Sequence, residues 1–319
     1  MVYQEYVQSS QQWTVEQISN SGERVTHLYP NDCYFAHLSL YYFATRFCQN
    51  GMVLDVGSGA GYGSAYLAKH GARFVYGTDL SDKAIAFSQH YFNLPNLEYR
   101  AMTIEAITGF SPQTFDFIFS SNTLEHVPNV TRFFRLAWGL LKPEGVLVIV
   151  VPPITRDVDW EVNIANRYHL NIWTPRQWYH MLSLFFSNIQ PYWHGFNKPG
   201  VPLDFLNTPE QAVINETDFI FKPTSLDEYY SNPSLGIIFV VSDPIPECRL
   251  PPKNLQVEFV DNSFTRSPFT PEENLNLPNW QQSFFMFKYL FKRSIDVFLE
   301  DGFFEMIRRA HLYVYRKIS

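Results

Sequence analysis

The chain has 319 residues, a formal net charge of −7 and 46% hydrophobic content, which predicts a soluble globular protein with room for one full domain plus additions. The acidic balance offers no footprint for nucleic acid, and no uninterrupted apolar run reaches the roughly 18 residues that a membrane-spanning helix needs. Cys33, Cys48 and Cys248 are odd in number, widely spaced and without a C-x-x-C pair, so neither a disulfide framework nor a structural metal is expected.

The polar stretch Met1 to Gln12 lacks a basic segment followed by an apolar core. No secretory leader is therefore expected, and a cytosolic location is. Cys33 to Phe47, rich in large apolar residues such as Phe35, Leu38, Leu40, Tyr42 and Phe43, reads as a helix lying across the mouth of the following domain, so that residues 1–50 form a helical cap. Arg24, in the leader Ser21-Gly22-Glu23-Arg24, is placed either to pair with a carboxylate of the site or to form an exposed salt bridge.

The stretch around which the rest is organised is Val53 to Ser64, where the short apolar run Met52–Val56 enters a glycine-rich turn and then a helix. Glycines at 57, 59 and 61 free the backbone for conformations other residues avoid, so a ligand must approach it closely. The spacing is not the G-x-G-x-x-G of a dinucleotide site, because Tyr62 occupies the third glycine position; nor is there the G-K-[ST] ending of a phosphate-binding loop. Asp55, two residues before the first glycine, would repel a pyrophosphate and attract a cation.

Phe74 to Thr78 is a second apolar run, and it ends in Asp79. At the tip of a neighbouring parallel strand that carboxylate can accept hydrogen bonds from two ribose hydroxyls; the alternative is a cap on the helix that begins at Ser81-Asp82. Strands near 52–56, 73–78, 96–100, 115–120 and 145–151 alternate with helices, the pattern of a parallel sheet covered on both faces. Ser121 and Asn122, leaving the fourth strand, should face the crevice at the carboxyl ends of the strands. His126 and His169, in Leu124-Glu125-His126 and Asn166-Arg167-Tyr168-His169, are the candidate general bases, with His169 the favoured one because a loop after the fifth strand overhangs the acceptor side. For His126 the competing assignment is packing at a helix start.

The sixth strand begins at Phe185–Ile189, and Leu235–Val241 is a clear last strand ending at Ser242-Asp243-Pro244. Between them, residues 196–233 are expected to form a lid, on the strength of Phe196, Phe205, Phe219 and Phe221. Prolines from 244 to 278 mark a linker. Residues 279–319 resume helical periodicity with a local basic excess and read as an amphipathic tail, either for peripheral membrane contact or for docking on its own domain or on a second subunit.

The motifs Val53 to Gly63, Gly77-Thr78-Asp79-Leu80, Phe115 to Phe119 with Leu124 to Val127, and Leu140 to Val151 together resemble those of class I S-adenosylmethionine-dependent methyltransferases. The resemblance runs over about residues 22–242. It implies a Rossmann-like, mostly parallel α/β sheet of seven strands with helices on both faces over 51–243, followed by the C-terminal helical extension. It also implies S-adenosyl-L-methionine as cofactor, with Asp55 near the methionine amino group, Gly57, Ser58, Gly59 and Gly61 wrapping it, Asp79 and Leu80 at the ribose, and Met102, Thr103 and Ser121 beside it. Met102 stands near where the family usually has an aspartate for the adenine amino group, so that contact is expected from backbone groups and a soft thioether. Gly22-Glu23-Arg24, His37 and Asn166 to His169 resemble a branch associated with bacterial surface-polysaccharide synthesis. That implies Arg24, His37 and Asn122 at the acceptor, a small-molecule or glycan partner, and O-methylation of a sugar hydroxyl. A small lipid or natural-product acceptor, and a non-catalytic cofactor-binding scaffold, are the alternatives.

Overall fold

A computed structural model of the chain describes residues 24–199 and 214–244. The chain divides into two compact units, Met1–Asn254 and Leu255–Ser319, and every described residue belongs to the first. Residues 1–23, the 200–213 part of the expected lid with Phe205, the linker beyond Pro244 and the tail over 279–319 lie outside the described residues.

The element order is α1 (Asp32–Cys48), β1 (Met52–Val56), α2 (Tyr62–Lys69), β2 (Phe74–Asp79), α3 (Asp82–Tyr91), β3 (Leu97–Ala101), β4 (Phe115–Ser121), α4 (Val130–Leu140), β5 (Leu141–Val151), α5 (Asp157–Ala165), α6 (Pro175–Leu182), β6 (Phe186–Phe196), β7 (Phe219–Pro223), the short α7 (Glu228–Ser231) and β8 (Ile237–Pro244). Single 3₁₀ turns occupy Ile104–Gly109, Leu124–His126 and Glu216–Asp218. No helix among the described residues is long and apolar enough to cross a membrane.

The strands form one sheet in the order β3-β2-β1-β4-β5-β8-β6-β7. The first five are parallel, and β8 runs antiparallel between β5 and β6. Successive residues alternate faces, and both faces are covered: Val53, Phe117, Phe119, Val148 and Val150 join the core beneath α1, α2 and α3, while Leu54, Ile118, Leu147, Ile149 and Val151 join the core beneath α4 and α6. That is why β1, β4 and β5 read as continuous apolar runs rather than alternating ones.

Two expectations are corrected. The sheet has eight strands rather than seven, because β7 pairs antiparallel with β6 from Tyr192↔Pro223 to Phe196↔Phe219. Phe219–Pro223 of the expected lid are therefore an edge strand, set between the 3₁₀ turn Glu216–Asp218 and the short α7. Phe219 and Phe221, spaced by two, put their rings on one face against His194, and Phe221 lies 4.7 Å from Phe43 of α1. Helix α1 packs into the core, with Tyr41 against Asp55 and Tyr62 beside the glycine turn. Leu38, Leu40, Tyr41, Phe43, Ala44 and Cys48 are all buried, so the helix carries apolar groups around much of its circumference and contacts α2, β4 and β7.

Candidate active site

The parallel strands end at a common edge, where β1 turns sharply into α2. Gly57, Gly59 and Gly61 have φ of 81°, 54° and 81°, values that only glycine adopts readily. The turn is held from below: Gly57 and Ser58 donate to the carbonyl of Thr78 at 2.8 Å each, and Tyr99 Oη donates to the carbonyl of Gly61 at 2.6 Å. A side chain at Gly57 would overlap Thr123, whereas a Cβ at Gly59 would meet no atom within 4 Å. The first glycine is thus required by packing, and the second opens a cradle.

Asp55, at the end of β1, is fully buried. Ser64 Oγ donates to its Oδ2 at 2.6 Å, and Tyr41 Oη lies 3.5 Å from Oδ1. Burial raises its pKa to about 7, against the lowering effect of the Ser64 and Tyr41 hydrogen bonds, with Asp79 adding to the rise. Tyr41 is pushed well above the usual phenol range by burial and then by Asp55, so its hydroxyl stays protonated. Sequence reasoning singled out neither Tyr41 nor Ser64 as a partner of Asp55; Ser64 lies nine residues on and Tyr41 fourteen residues back, and no motif joins either to it.

Asp79 occupies the tip of β2. Its Oδ2 accepts from Gly59 N at 3.0 Å, and its Oδ1 accepts from Ser81 N at 2.9 Å and from Arg24 Nη2 at 2.8 Å. Arg24 therefore pairs with a carboxylate of the site, the first of its two expected placements, in a salt bridge whose side chains are 12% and 10% exposed. Met102, just past β3, donates its backbone N–H to the Asp79 carbonyl at 2.9 Å and packs its side chain on the core. Thr103 caps the following 3₁₀ turn through Oγ1. Leu80 stands 74% exposed beside Asp79.

The site fits the nucleoside-sulfonium cofactor that the sequence pattern implies. Gly59 leaves open space at the backbone, Asp79 Oδ2 can accept a further hydrogen bond, and Ser58 Oγ is buried with no hydrogen-bond partner among the described residues, as expected of a group that meets a ligand.

Beyond β4, Asn122 adopts φ of 48° and donates through Nδ2 to Ser121 Oγ at 3.1 Å. Thr123 abuts Gly57, so the 3₁₀ turn carrying Glu125 and His126 is packed against the glycine turn. Asn171 clamps that turn, donating through Nδ2 to the carbonyls of Leu124 and Val127 at 2.7 Å each, while the N–H groups of Leu170 and Asn171 donate to the Glu125 carbonyl. The clamp brings His126 and His169 together, their ring centroids 5.0 Å apart and their planes at 65°.

Both rings are oriented from behind. His126 Nδ1 lies 3.0 Å from the Tyr168 carbonyl, which only accepts, so Nδ1 donates. Asn163 donates its Nδ2 to the Asp159 carbonyl at 2.6 Å, which fixes its amide and turns Oδ1 to His169 Nδ1 at 2.7 Å. In each neutral ring the lone pair then belongs to Nε2. Asn163 and Asn171 carry no motif, and no signal in the chain marks them. His37 lies apart from this pair, on α1 near buried His194, and burial lowers its pKa to about 4.

Residues 54–149 match the family described as "Methyltransferase domain". The chain is 31% identical over 98 residues to the ubiquinone biosynthesis O-methyltransferase of Neisseria meningitidis serogroup C, and 40% identical over 97 residues to that of Coxiella burnetii (strain RSA 493); each match covers 30% of this chain and 41% of the relative. The chain thus spans about two fifths of the length of these relatives. Among solved structures, a SAM-dependent methyltransferase of Thermotoga maritima aligns with 66% of this chain and 91% of its own, at 15% identity and a TM-score of 0.49. The matched residues 54–149, a methyltransferase domain by that description, include the glycine turn and Asp79.

Proposed function

We propose that the chain is an O-methyltransferase acting on a hydroxyl acceptor. The observation that carries this reading is the pair His126 and His169, each Nδ1 fixed by a carbonyl-type oxygen, on a turn packed against the glycine loop through Thr123. S-adenosyl-L-methionine supplies a methyl group on a sulfonium, already activated toward in-line displacement. The chain's part is then to position the two reactants and to take up the proton of an alcohol, which is a weak nucleophile until deprotonated. The Nε2 lone pairs of His126 and His169 take that proton. Buried Asp55 offers a carboxylate for the methionine ammonium and Asp79 one for the ribose. The printed names of the curated relatives, O-methyltransferases of ubiquinone biosynthesis, support oxygen as the accepting atom.

Two acceptor classes fit. A sugar hydroxyl is supported by the resemblance of Gly22-Glu23-Arg24, His37 and Asn166 to His169 to the glycan-associated branch. A ring-hydroxylated apolar acceptor is supported by α5, which holds His169 through Asn163 and leaves Val158 and Val162 more than half exposed, with Trp160 and Tyr168 near 40%. Deuterated S-adenosylmethionine offered with a panel of nucleotide sugars, phenols and catechols, read by mass spectrometry, tests the assignment. Transfer to oxygen in one class, abolished in His169→Ala, is expected; transfer to nitrogen or carbon, or to nothing, overturns it.

A further inference from the structure

We propose that Glu125, His126 and His169 together bind a divalent first-row transition cation of the zinc or manganese kind. One ligand atom from each residue lies within 4.8 Å of the others, with His126 Nε2 3.9 Å from Glu125 Oε1. Four-coordinate ligands at about 2.0 to 2.1 Å from a metal stand roughly 3.3 Å apart, so the set closes when the separations shorten by at most about 1.5 Å.

The second, independent observation lies behind the ligands. A histidine that binds metal through one ring nitrogen characteristically donates the other N–H to a carbonyl or carboxylate, which fixes the tautomer and the ring plane. Both histidines meet that condition here, His126 through the Tyr168 carbonyl and His169 through Asn163 Oδ1. The third member is a carboxylate only 2% exposed, and a buried carboxylate is costly unless paired or coordinating. A cation between the three groups would coordinate it. The backbone clamp through Leu170 and Asn171 holds the turn and the His169 loop in register, so the donors are assembled before an ion arrives.

Two imidazoles and one carboxylate leave coordination positions for water or an alcohol, the arrangement of a catalytic rather than a structural site. A hydroxyl bound there gives up its proton to solvent more readily because the cation stabilises the alkoxide; in that state the Nε2 lone pairs of His126 and His169 are committed to the ion, which replaces them in activating the hydroxyl. This role deepens the O-methyltransferase reading and rests on it; the binding of the ion does not.

The full chain, stripped with EDTA and dialysed, is titrated with Zn2+ by calorimetry and separately with Co2+ by visible absorption. One equivalent bound, with d–d bands signalling nitrogen and oxygen ligands, is expected. His169→Ala, with far-UV circular dichroism showing the fold intact, is expected to weaken binding by at least about 100-fold, more than loss of an outer-shell partner costs; His169→Cys, which restores a ligand, should recover much of it. No binding by the wild type at 100-fold molar excess of either ion, or equal affinity in His169→Ala, overturns the proposal. Methyl transfer by the EDTA-treated enzyme at the full rate would overturn the ion's part in the reaction and leave the O-methyltransferase reading standing, whereas metal binding without transfer to any hydroxyl would leave the site standing and overturn that reading.

Discussion

Arg24 Nη2 donates to Asp79 Oδ1 at 2.8 Å, so the carboxylate best placed to hold a ribose also holds a cation from the segment before α1. Oδ1 already accepts from Ser81 N as well, and its two lone-pair directions are filled, while Oδ2 keeps one after Gly59 N. A bidentate ribose contact must therefore displace Arg24, and the positive sulfonium must enter beside it. Arg24→Gln is expected to tighten S-adenosylmethionine binding by about three- to tenfold, the scale of one partly buried ion pair, and to favour the cationic cofactor over its neutral product. Asp79→Ala should weaken both ligands by about 2 to 4 kcal/mol, two charge-assisted bonds' worth. Calorimetry on the two variants checks the pair; unchanged affinity in Asp79→Ala would remove Asp79 from the cofactor site.

Asp55 ties cofactor affinity and stability to pH. Its folded pKa is raised to about 7, against an unfolded value of about 3.9. Between the two the folded state keeps a proton that the unfolded chain has lost, so this group's contribution to stability falls as pH rises from about 4 to 7 and is level above. Asp55→Asn removes that slope. In denaturant titrations the variant is expected to gain on the wild type from pH 5 to pH 8, by on the order of 3 kcal/mol at the upper end. With the proposed contact between Asp55 and the cofactor's ammonium, which needs the ionised form, wild-type affinity is expected to decline below pH 7, and that of Asp55→Asn to be weaker and to stay flat.

The buried histidines act in the opposite sense. His194, whose Nε2 meets Ser39 Oγ at 3.0 Å, is driven to about 3 by burial and then by His37, and His37 itself to about 4 by burial. Each takes up a proton on unfolding below the ordinary histidine pKa of about 6.5. The stability that both contribute is fully present above that pH and is lost as pH falls through the range 6.5 to 3. His194→Phe, which keeps a ring to stack on Phe221, should shallow the acid limb by close to one proton. Identical proton uptake in wild type and variant, measured by the pH dependence of unfolding midpoints, would show that His194 is already charged in the fold.

Much of this was legible in the chain because strands and turns leave local signatures. Strands β1 and β4 and the three positive-φ glycines announce themselves by apolar runs and spacing, and the two carboxylates follow from their place at strand ends. What the pattern concealed is contact made across the fold. The period-two pair Phe219 and Phe221 was open to being read as a strand, yet the long connection around it suggested a lid, and only the edge of β6 decides between them. The all-round apolar character of α1 indicated burial and not which surface it meets. Nothing in the order of residues foretells that Asn171 clamps the Glu125 turn or that Asn163 orients His169, since such groups are ordinary surface polar residues until the tertiary structure assigns their partners.

The glycine turn separates what the fold requires from what the ligand requires. Gly57 and Gly59 share positive φ, so replacing either with alanine forces an L residue into the left-handed region at about 1 to 2 kcal/mol. Beyond that they diverge. At Gly57 the added methyl overlaps Thr123, and Thr123 leads into the turn that carries Glu125 and His126, so the clash costs roughly a further 1 to 3 kcal/mol and shifts the histidines. At Gly59 the methyl enters open space, and the fold loses only the backbone term. Gly59→Ala is therefore expected to unfold within a few degrees of the wild type, on the scale of 1 to 2 kcal/mol for a domain of this size, and yet to lose most of its S-adenosylmethionine affinity, because the methyl fills the cradle. Gly57→Ala should unfold at a clearly lower temperature and lose activity with it, and Thr123→Gly in the same chain should restore part of the stability. Thermal scans with and without cofactor measure both effects. If Gly59→Ala bound S-adenosylmethionine as tightly as the wild type, the open space at residue 59 would have no part in holding it.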